Sequence, residues 1–464
     1  MTNHDEPKRL LETSRPLAAD PLMTSEQAQA IIEAVKKLSK ADEVIVNVGS
    51  GLQSDVRFAA NQMSTAGGVS NTNLSVTSVF GKKHATAVTN DLTNDSITRV
   101  VAESERLAKL SPDDPEWLPA LGPQTYAPVP AYFDSTAGVS AADRARVALT
   151  ALEPARKAGD LQAAGFLVVN AGTSALGNSK GLFAYHRTTT ANYTLTVRSA
   201  DGTGSGWAGA ENNDWTKVDF AKVSNSAIEK ARLSRNPVAI EPGRYTVILE
   251  PQAVGDLVSL LAFSLQARLA DEGRSAFAKP NGENKIGEKI MDPRVTIFSD
   301  PQDPQMLLQP FDGQGIPNRR MVWIENGVLK ELAYSRFWAQ KKGKTPTPGA
   351  GSLKMLGGTT STEEMIRSTP RGILVTRLWY LRQVDPRTIL YTGLTRDGTF
   401  LIENGKITKS LKNFRFNESP LFILNNLEAA GESVRVAGAE SGGSIVMPTI
   451  KVRDFNFTSL SDAV

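Results

Sequence analysis

The tetrapeptide Ile-Glu-Asn-Gly occurs twice in this chain, at residues 324–327 and 402–405, each time between runs of β-branched and aromatic residues. Asn-Gly supplies the positive φ angles that a two-residue hairpin turn needs, so both sites predict antiparallel hairpins. The C-terminal half is therefore expected to be dominated by strands and tight turns. So short a repeat does not establish an internal duplication.

A second constraint lies upstream. Arg244, Tyr245, Thr246, Val247, Ile248 and Leu249 read as a buried strand after the turn at Pro242-Gly243. From Ala253 to Ala270, Val254, Leu257, Val258, Leu261, Leu265 and Leu269 recur at helical spacing, which predicts one helix with a single buried face. The strand feeds that helix at Pro251, and proline suits a first helical turn because its missing N–H costs nothing there.

The rest of the chain divides by composition. Residues 1–20 read as a flexible tail, followed by an N-terminal α+β domain over 21–112. There Thr24 and Gln27 form a capping box for a helix through Leu38, and 43–48 is a strand. Residues 56–90 read as three strands broken at Gly67-Gly68 and Gly81, and 92–110 as a helix capped by Thr93 or Asn94. The proline-rich stretch 113–130 reads as a linker, because proline stops helices and sheet pairing. A central α+β domain, 131–234, has helices at 141–159 and 216–232 around strands at 161–170, 182–190 and 193–199. His186 sits in an alternating strand pattern and His84 in a hairpin beside Lys82 and Lys83. The glycine-rich stretch 201–207 lacks a following Gly-Lys-Ser/Thr and reads as a strand-to-loop connection rather than a phosphate cradle. A β-rich domain, 235–464, completes the chain, with 341–360 expected as a solvated surface loop. Phe337, Trp338, Trp379 and Tyr380 flank that loop as either core residues or interface anchors. The expected class is α+β, with N-terminal and central α/β units on mixed or antiparallel sheets ahead of the β-rich C-terminal domain.

Composition excludes some functions. A chain of 464 residues favours two or three domains. The net charge of +3, from 52 basic and 49 acidic side chains, leaves no nucleic-acid footprint. No apolar run reaches the roughly twenty residues of a membrane helix, and the first twenty residues lack an apolar signal core, so a cytoplasmic protein is expected. There is no cysteine and only three histidines, His4, His84 and His186, so a histidine-rich metal site cannot be assembled.

Several blocks resemble one family. Residues 310–330 carry Phe311-Asp312-Gly313, a glycine turn, Pro317, Arg320 and then Ile324-Glu325-Asn326-Gly327-Val328-Leu329. A later block runs from Arg396-Asp397-Gly398 to Ile402-Glu403-Asn404-Gly405-Lys406-Ile407. Residues 56–62 and 89–92 add weaker matches. Together they resemble the TldD/PmbA family of gyrase-modulator-type metallopeptidases over most of the chain. In TldD-type members the strand-to-helix junction carries His-Glu-Ala-Val-Gly-His, with two zinc-binding histidines and a general-base glutamate. Aligned on Ala253-Val254-Gly255, those roles fall on Pro251, Gln252 and Asp256. Proline offers no side-chain ligand, glutamine takes no proton at neutral pH, and a lone aspartate is a poor zinc site. The family's third ligand, a late cysteine, has no counterpart in this sequence.

The resemblance therefore implies a TldE/PmbA-like chain with no catalytic residue and no cofactor of its own. Its expected partner is a zinc-bearing TldD-like subunit, with which it would form a heterodimeric peptidase acting on peptides or unfolded polypeptides. The alternative is a non-enzymatic peptide- or protein-binding homodimer or scaffold; a third reading is an independent hydrolase. Phe311, Asp312, Gly313, Arg320, Asn326 and Gly327 are the candidates for shaping a site.

Overall fold

The computed structural model describes residues 22–438 and 443–461, so the expected tail at 1–20 lies outside the described residues. Six strands form the first sheet: β1 (Glu43–Ala59), β2 (Gln62–Phe80), β3 (Lys83–Thr89), β4 (Leu161–Asn178), β5 (Phe183–Ser199) and β6 (Ser205–Asn212). Their order is β3-β2-β1-β4-β5-β6, antiparallel throughout. Side chains alternate across a strand, so Val44, Val46, Val48, Val56 and Phe58 of β1 share one face, all buried. Helices α1 (Ser25–Leu38), α2 (Asn94–Leu110), α3 (Asp134–Ala137), α4 (Ala141–Ala158) and α5 (Phe220–Leu233) accompany this sheet. Ile32 and Val35 of α1 and Val100 of α2 join the first three of those valines in one apolar cluster. Val147 and Leu152 of α4 and Ile228 of α5 join Val56 and Phe58 in another.

The expected caps are present. Thr24 and Gln27 form the capping box of α1, and Thr93 accepts a hydrogen bond from Ser96 N–H at the start of α2. Several boundaries differ from expectation: the strands expected at 43–48 and from 56 are one, β1, and the strand expected at 161–170 runs on to Asn178 as β4, because the pairing continues unbroken across each of those points. Gly67-Gly68 does not break β2, because the ladder with β1 continues through Asp55↔Gly67 and Ser54↔Gly68. The strands expected at 182–190 and 193–199 are one, β5, since Ala191 and Asn192 pair with Val169 and Val168 of the long β4. The helix expected from 216 starts at Phe220, where the Asp219 side chain accepts from Lys222 N–H, after a 3-10 turn at Trp215–Lys217.

The second sheet has thirteen strands. They are β7 (Gly243–Leu249), β8 (Ile297–Ser299), β9 (Met321–Glu325), β10 (Val328–Leu329), β11 (Leu353–Met355), β12 (Arg371–Val375) and β13 (Leu378–Asp385), then β14 (Leu390–Thr395), β15 (Thr399–Glu403), β16 (Lys406–Ser410), β17 (Phe414–Glu418), β18 (Leu427–Arg435) and β19 (Ile445–Leu460). The long β19 pairs with β7, β11, β17 and β18; its pairing with β11 and that of β7 with β12 are parallel and antiparallel partners surround them. Both Asn-Gly sites close hairpins, β9/β10 and β15/β16, with positive φ at Asn326, Gly327, Asn404 and Gly405. This α+β architecture, with an antiparallel and a mixed sheet, is the class the sequence predicts.

Helices α6 (Pro251–Val258), α7 (Leu261–Ser264), α8 (Ala267–Asp271), α9 (Arg336–Lys342), α10 (Thr362–Arg367) and α11 (Pro420–Asn425) surround the second sheet. The single helix expected over 253–270 is therefore three short ones. Ala333 explains the break between α7 and α8: its N–H donates to Leu265 C=O at 2.7 Å and its C=O accepts from Ala267 N–H at 3.0 Å, taking the backbone away from the helical ladder, whereas between α6 and α7 the turn tightens, Leu260 N–H donating to Leu257 C=O. The one-sided burial is also corrected, since every residue from Ala253 to Val258 is buried. Residues 341–360 are not a surface loop throughout. Lys341, Lys342 and Lys344 are exposed, but Leu353 and Met355 are fully buried in β11, which pairs with both β8 and β19.

Candidate functional site

The strand β7 delivers the chain to Glu250, whose backbone is extended (φ −65°, ψ 161°), and Pro251 opens α6 as expected of a residue without an N–H. Glu250 is held from outside the helix: its carboxylate accepts from Lys230 Nζ of α5 at 2.6 Å. Gln252 Nε2 donates to Asp256 Oδ1 at 2.8 Å and to Gly438 C=O at 3.0 Å, while Gln252 Oε1 accepts from Ala437 N–H at 3.3 Å. The buried Asp256 accepts from Leu378 N–H through Oδ2 at 3.0 Å, which ties α6 to the first residue of β13. Gln252 and Asp256 thus form a polar lock joining α6, the 437–438 turn and β13.

Zinc does not fit this donor set. Pro251 has no side-chain ligand atom, the Gln252 amide is committed as donor and acceptor, and the Asp256 carboxylate is engaged at both oxygens. Among the described residues no group of three or more His, Cys, Asp or Glu side chains is placed to hold a metal ion.

Beside the lock runs an exposed edge. Among the described residues β13 pairs only with β14, and it bends where the register shifts between Trp379 and Arg382 and where Tyr380 takes a φ of 56°. Trp379 and Tyr380 are 39% and 51% exposed, and the guanidinium groups of Arg396 and Arg382 lie over their rings at 4.1 and 4.2 Å. Trp338, by contrast, is buried and donates from Nε1 to Asp271 Oδ2 at 2.8 Å.

The two turn blocks take separate places. Phe311 is buried against Tyr126, Leu176 and Leu182, so it packs the segment between β8 and β9 against the first sheet. Asp312 Oδ1 accepts from Gln314 and Ile316 N–H at 2.9 and 2.8 Å, and the hydroxyl of Tyr126, pushed up to about 12 by burial and then by the Asp312 charge, donates to Gly315 C=O. Gly313 faces open space. Arg320 stacks on Phe298 at 4.3 Å and pairs with Asp300 at 3.5 Å. Asn326 N–H donates to Thr296 Oγ1, and a Cβ at Gly327 would meet Met291 C=O at 2.3 Å, so that turn is packed against a carbonyl. Phe311, Asp312, Arg320, Asn326 and Gly327 accordingly sit in turns and packing contacts.

The glycine-rich stretch 201–207 meets the Arg396-Asp397-Gly398 turn, a juxtaposition that sequence spacing does not suggest. Ser205 Oγ donates to the buried Asp397 carboxylate at 2.6 Å, and Arg377 pairs with it at 3.1 Å. A cavity of about 390 Å³ opens there, lined by Thr203, Asn236, Ser410, Lys412 and Asn413 among others. The role of Gly206 is packing: a Cβ there would lie 2.2 Å from Ala227 C=O of α5. His186 is buried in β5, and burial pushes its imidazole down to about 4, keeping it neutral. His84 is stacked on Trp117 at 4.0 Å and hydrogen-bonded to Asp114 at 3.2 Å. Neither Leu378 nor Lys230 carried a signal in sequence, because each partners α6 across the fold.

Two family models match: the PmbA/TldA metallopeptidase central domain over residues 134–235 and its C-terminal domain over 242–459. The chain is 22% identical to the metalloprotease PmbA of Escherichia coli O157:H7, over 92% of this chain and 95% of that protein. It is 26% identical to a metalloprotease of Methanothermobacter thermautotrophicus over 51% of this chain and 55% of that one, so it spans about half the length of this relative. Its fold is similar to that of TldE from Thermococcus kodakarensis, with a TM-score of 0.82 at 21% identity, covering 94% of this chain and 100% of that chain. Among the described residues no helix is long and apolar enough to cross a membrane. With the central-domain model and the C-terminal-domain model matched one after the other along one chain, this protein belongs to the PmbA/TldD metallopeptidase family.

Proposed function

We propose that this chain is the metal-free, TldE/PmbA-like subunit of a heterodimeric TldD/TldE-type zinc metallopeptidase that acts on peptides or unfolded polypeptides. The observation that carries this reading is the lock on α6. Where a catalytic relative would hold zinc and a general base, Gln252 and Asp256 fasten the helix to Leu378 N–H and to the 437–438 turn. A helix held this way can shape the wall of a chamber, while water activation by zinc belongs to the other subunit. The edge of β13 with Trp379 and Tyr380 offers the partner an aromatic contact beside that wall.

Co-expression with a TldD-like protein carrying His-Glu-x-x-x-His tests the reading by size-exclusion chromatography and peptide hydrolysis. A 1:1 complex with zinc-dependent activity is expected, and the isolated chain is expected to bind zinc weakly and cleave nothing. Zinc-stimulated hydrolysis by the isolated chain would revive the independent-hydrolase reading and overturn this one. Peptide capture without a heteromer or products would instead favour the scaffold.

A further inference from the structure

The face of the first sheet opposite its helices meets the second unit across a cleft of about 460 Å³. Ile45 and Asn47 of β1 line it, together with His84, Trp117, Arg336 and Phe337. Its charges are mostly matched. Glu116 takes a bidentate pair from Arg268 at 2.7 and 2.9 Å, and Asp114 binds His84 and the Glu116 N–H. Glu43 is satisfied by Ala120 N–H at 2.7 Å and Lys180 at 3.1 Å. Asp312, the first of the two carboxylates that act on Arg336 from a distance, spends Oδ1 on two backbone N–H groups.

Arg336 is the exception. Its guanidinium is half-buried, burial lowers its pKa, and among the described residues its one hydrogen bond is to Pro119 C=O at 2.5 Å. Among the described residues its side chain makes no hydrogen bond or ion pair to a carboxylate, Asp312 and Glu43 acting on it only through their charge. A guanidinium offers five N–H donors in a planar fork matched to a carboxylate, so most of this fork is unused inside the cleft. Beside it stand the half-buried Phe337 and the half-buried indole of Trp117, one face of which His84 covers, surfaces suited to a flat apolar body. The cleft volume is that of a small-molecule site.

We propose that this cleft binds a carboxylate carried on an aromatic body, with the carboxylate on Arg336 and the ring against Trp117 and Phe337. A free aromatic acid and the C-terminal residue of a short peptide share that chemistry. The site is separate from α6 and needs no second subunit.

The test uses the full chain and four probes, benzoate, benzamide, N-acetylphenylalanine and N-acetylphenylalanine amide, with binding followed by ligand-observed NMR and calorimetry. The two acids are expected to bind saturably and the two amides roughly ten- to hundredfold more weakly, the loss of one charge-assisted contact. Arg336→Gln should weaken the acids by a similar factor, Arg336→Lys by less, and Phe337→Ala should weaken acids while sparing the melting temperature. Tighter binding of N-acetylphenylalanine than of benzoate assigns the site to peptide termini, and the reverse order to small acids; either supports the proposal. Equal binding of acids and amides overturns it, as does unchanged acid binding in a folded Arg336→Gln or no saturable binding of either acid.

Discussion

In the six-stranded sheet every pairing but one joins strands consecutive in the chain, and only β1 with β4 reaches further. In the thirteen-stranded sheet one late strand, β19, pairs with β7, β11, β17 and β18 and so gathers segments from 243 to 435. The first arrangement is a set of local hairpins around one long-range seam. The second has no complete sheet until its last strand is in place, which makes its stability depend on one element. The candidate functional residues follow the same division: α6 and β13 belong to the unit that β19 closes, and β19 pairs directly with the strand that delivers α6.

The sharpest way to break this comparison is to damage β19 alone. Phe455 is fully buried, 5.5 Å from the Phe416 ring and 5.0 Å from that of Phe457. Phe455→Ala is expected to cost about 3–5 kcal/mol through lost burial and a cavity. Native-state hydrogen exchange should show protection falling across β7, β17 and β19 while β1 and β4 keep theirs. Equal loss in both sheets would show one cooperative unit and end the distinction.

Glu418 of β17 supplies a pH-dependent version of the same test. Its carboxyl is 2% exposed, and burial pushes it up to about 7 despite hydrogen bonds from Asn456 and Ser419 N–H. The fold favours the protonated acid. This contribution is therefore full below the unfolded value near 4.5 and is lost as pH rises through about 7. The difference corresponds to roughly 3 kcal/mol. The stability of wild type relative to Glu418→Gln should fall by about that amount between pH 4.5 and pH 8 in urea unfolding, and a constant difference would refute the assignment.

How far these features could be read from sequence depends on how local their causes are. The caps at Thr24 and Thr93 and both Asn-Gly hairpins were legible, because each is decided within a few residues. The helix expected over 253–270 is interrupted at Leu265 because Ala333 competes for its backbone, and no periodicity within the segment reports a partner so distant. Gly67-Gly68 misled for the opposite reason: a local breaker was overridden by an uninterrupted ladder with β1. At the candidate site the absence of zinc-binding side chains was legible from residue identity alone. The use to which Gln252 and Asp256 are put was not, because Leu378 lies 122 residues from Asp256. Arg336 gave no signal, since its lack of an ionic partner is a property of the cleft.

The lock itself is expected to matter less than the β19 core. Asp256→Ala removes the acceptor of Leu378 N–H and a partner of Gln252, a loss of about 1–3 kcal/mol if the donor stays buried. Asp256→Asn, which keeps an acceptor for one of the two donors and turns an NH2 toward the other, should recover only part of it. Chemical denaturation of both variants measures this, and an Ala variant as stable as wild type would remove the structural role assigned to the position.

The smallest effect on stability, and the most specific on assembly, is expected at Trp379. Its side chain is 39% exposed at the edge of the sheet, and its ring contact with Arg396 at 4.1 Å is of a kind worth about 0.5–1 kcal/mol at such sites. Trp379→Ala should therefore shift the unfolding free energy of the isolated chain by no more than about 1 kcal/mol. If the β13 edge is the contact for a TldD-like subunit, the same change should weaken the heterodimer by at least about tenfold, since exposed tryptophans beside arginines are frequent interface anchors. Sedimentation velocity with the co-expressed partner separates the two quantities. Unchanged heterodimer affinity would move the interface away from β13, leaving α6 a buried support rather than a wall beside the contact. A large loss of stability in the isolated chain would mean that the edge residues are core residues of the second sheet, and the contrast between the two sheets would then extend to their margins.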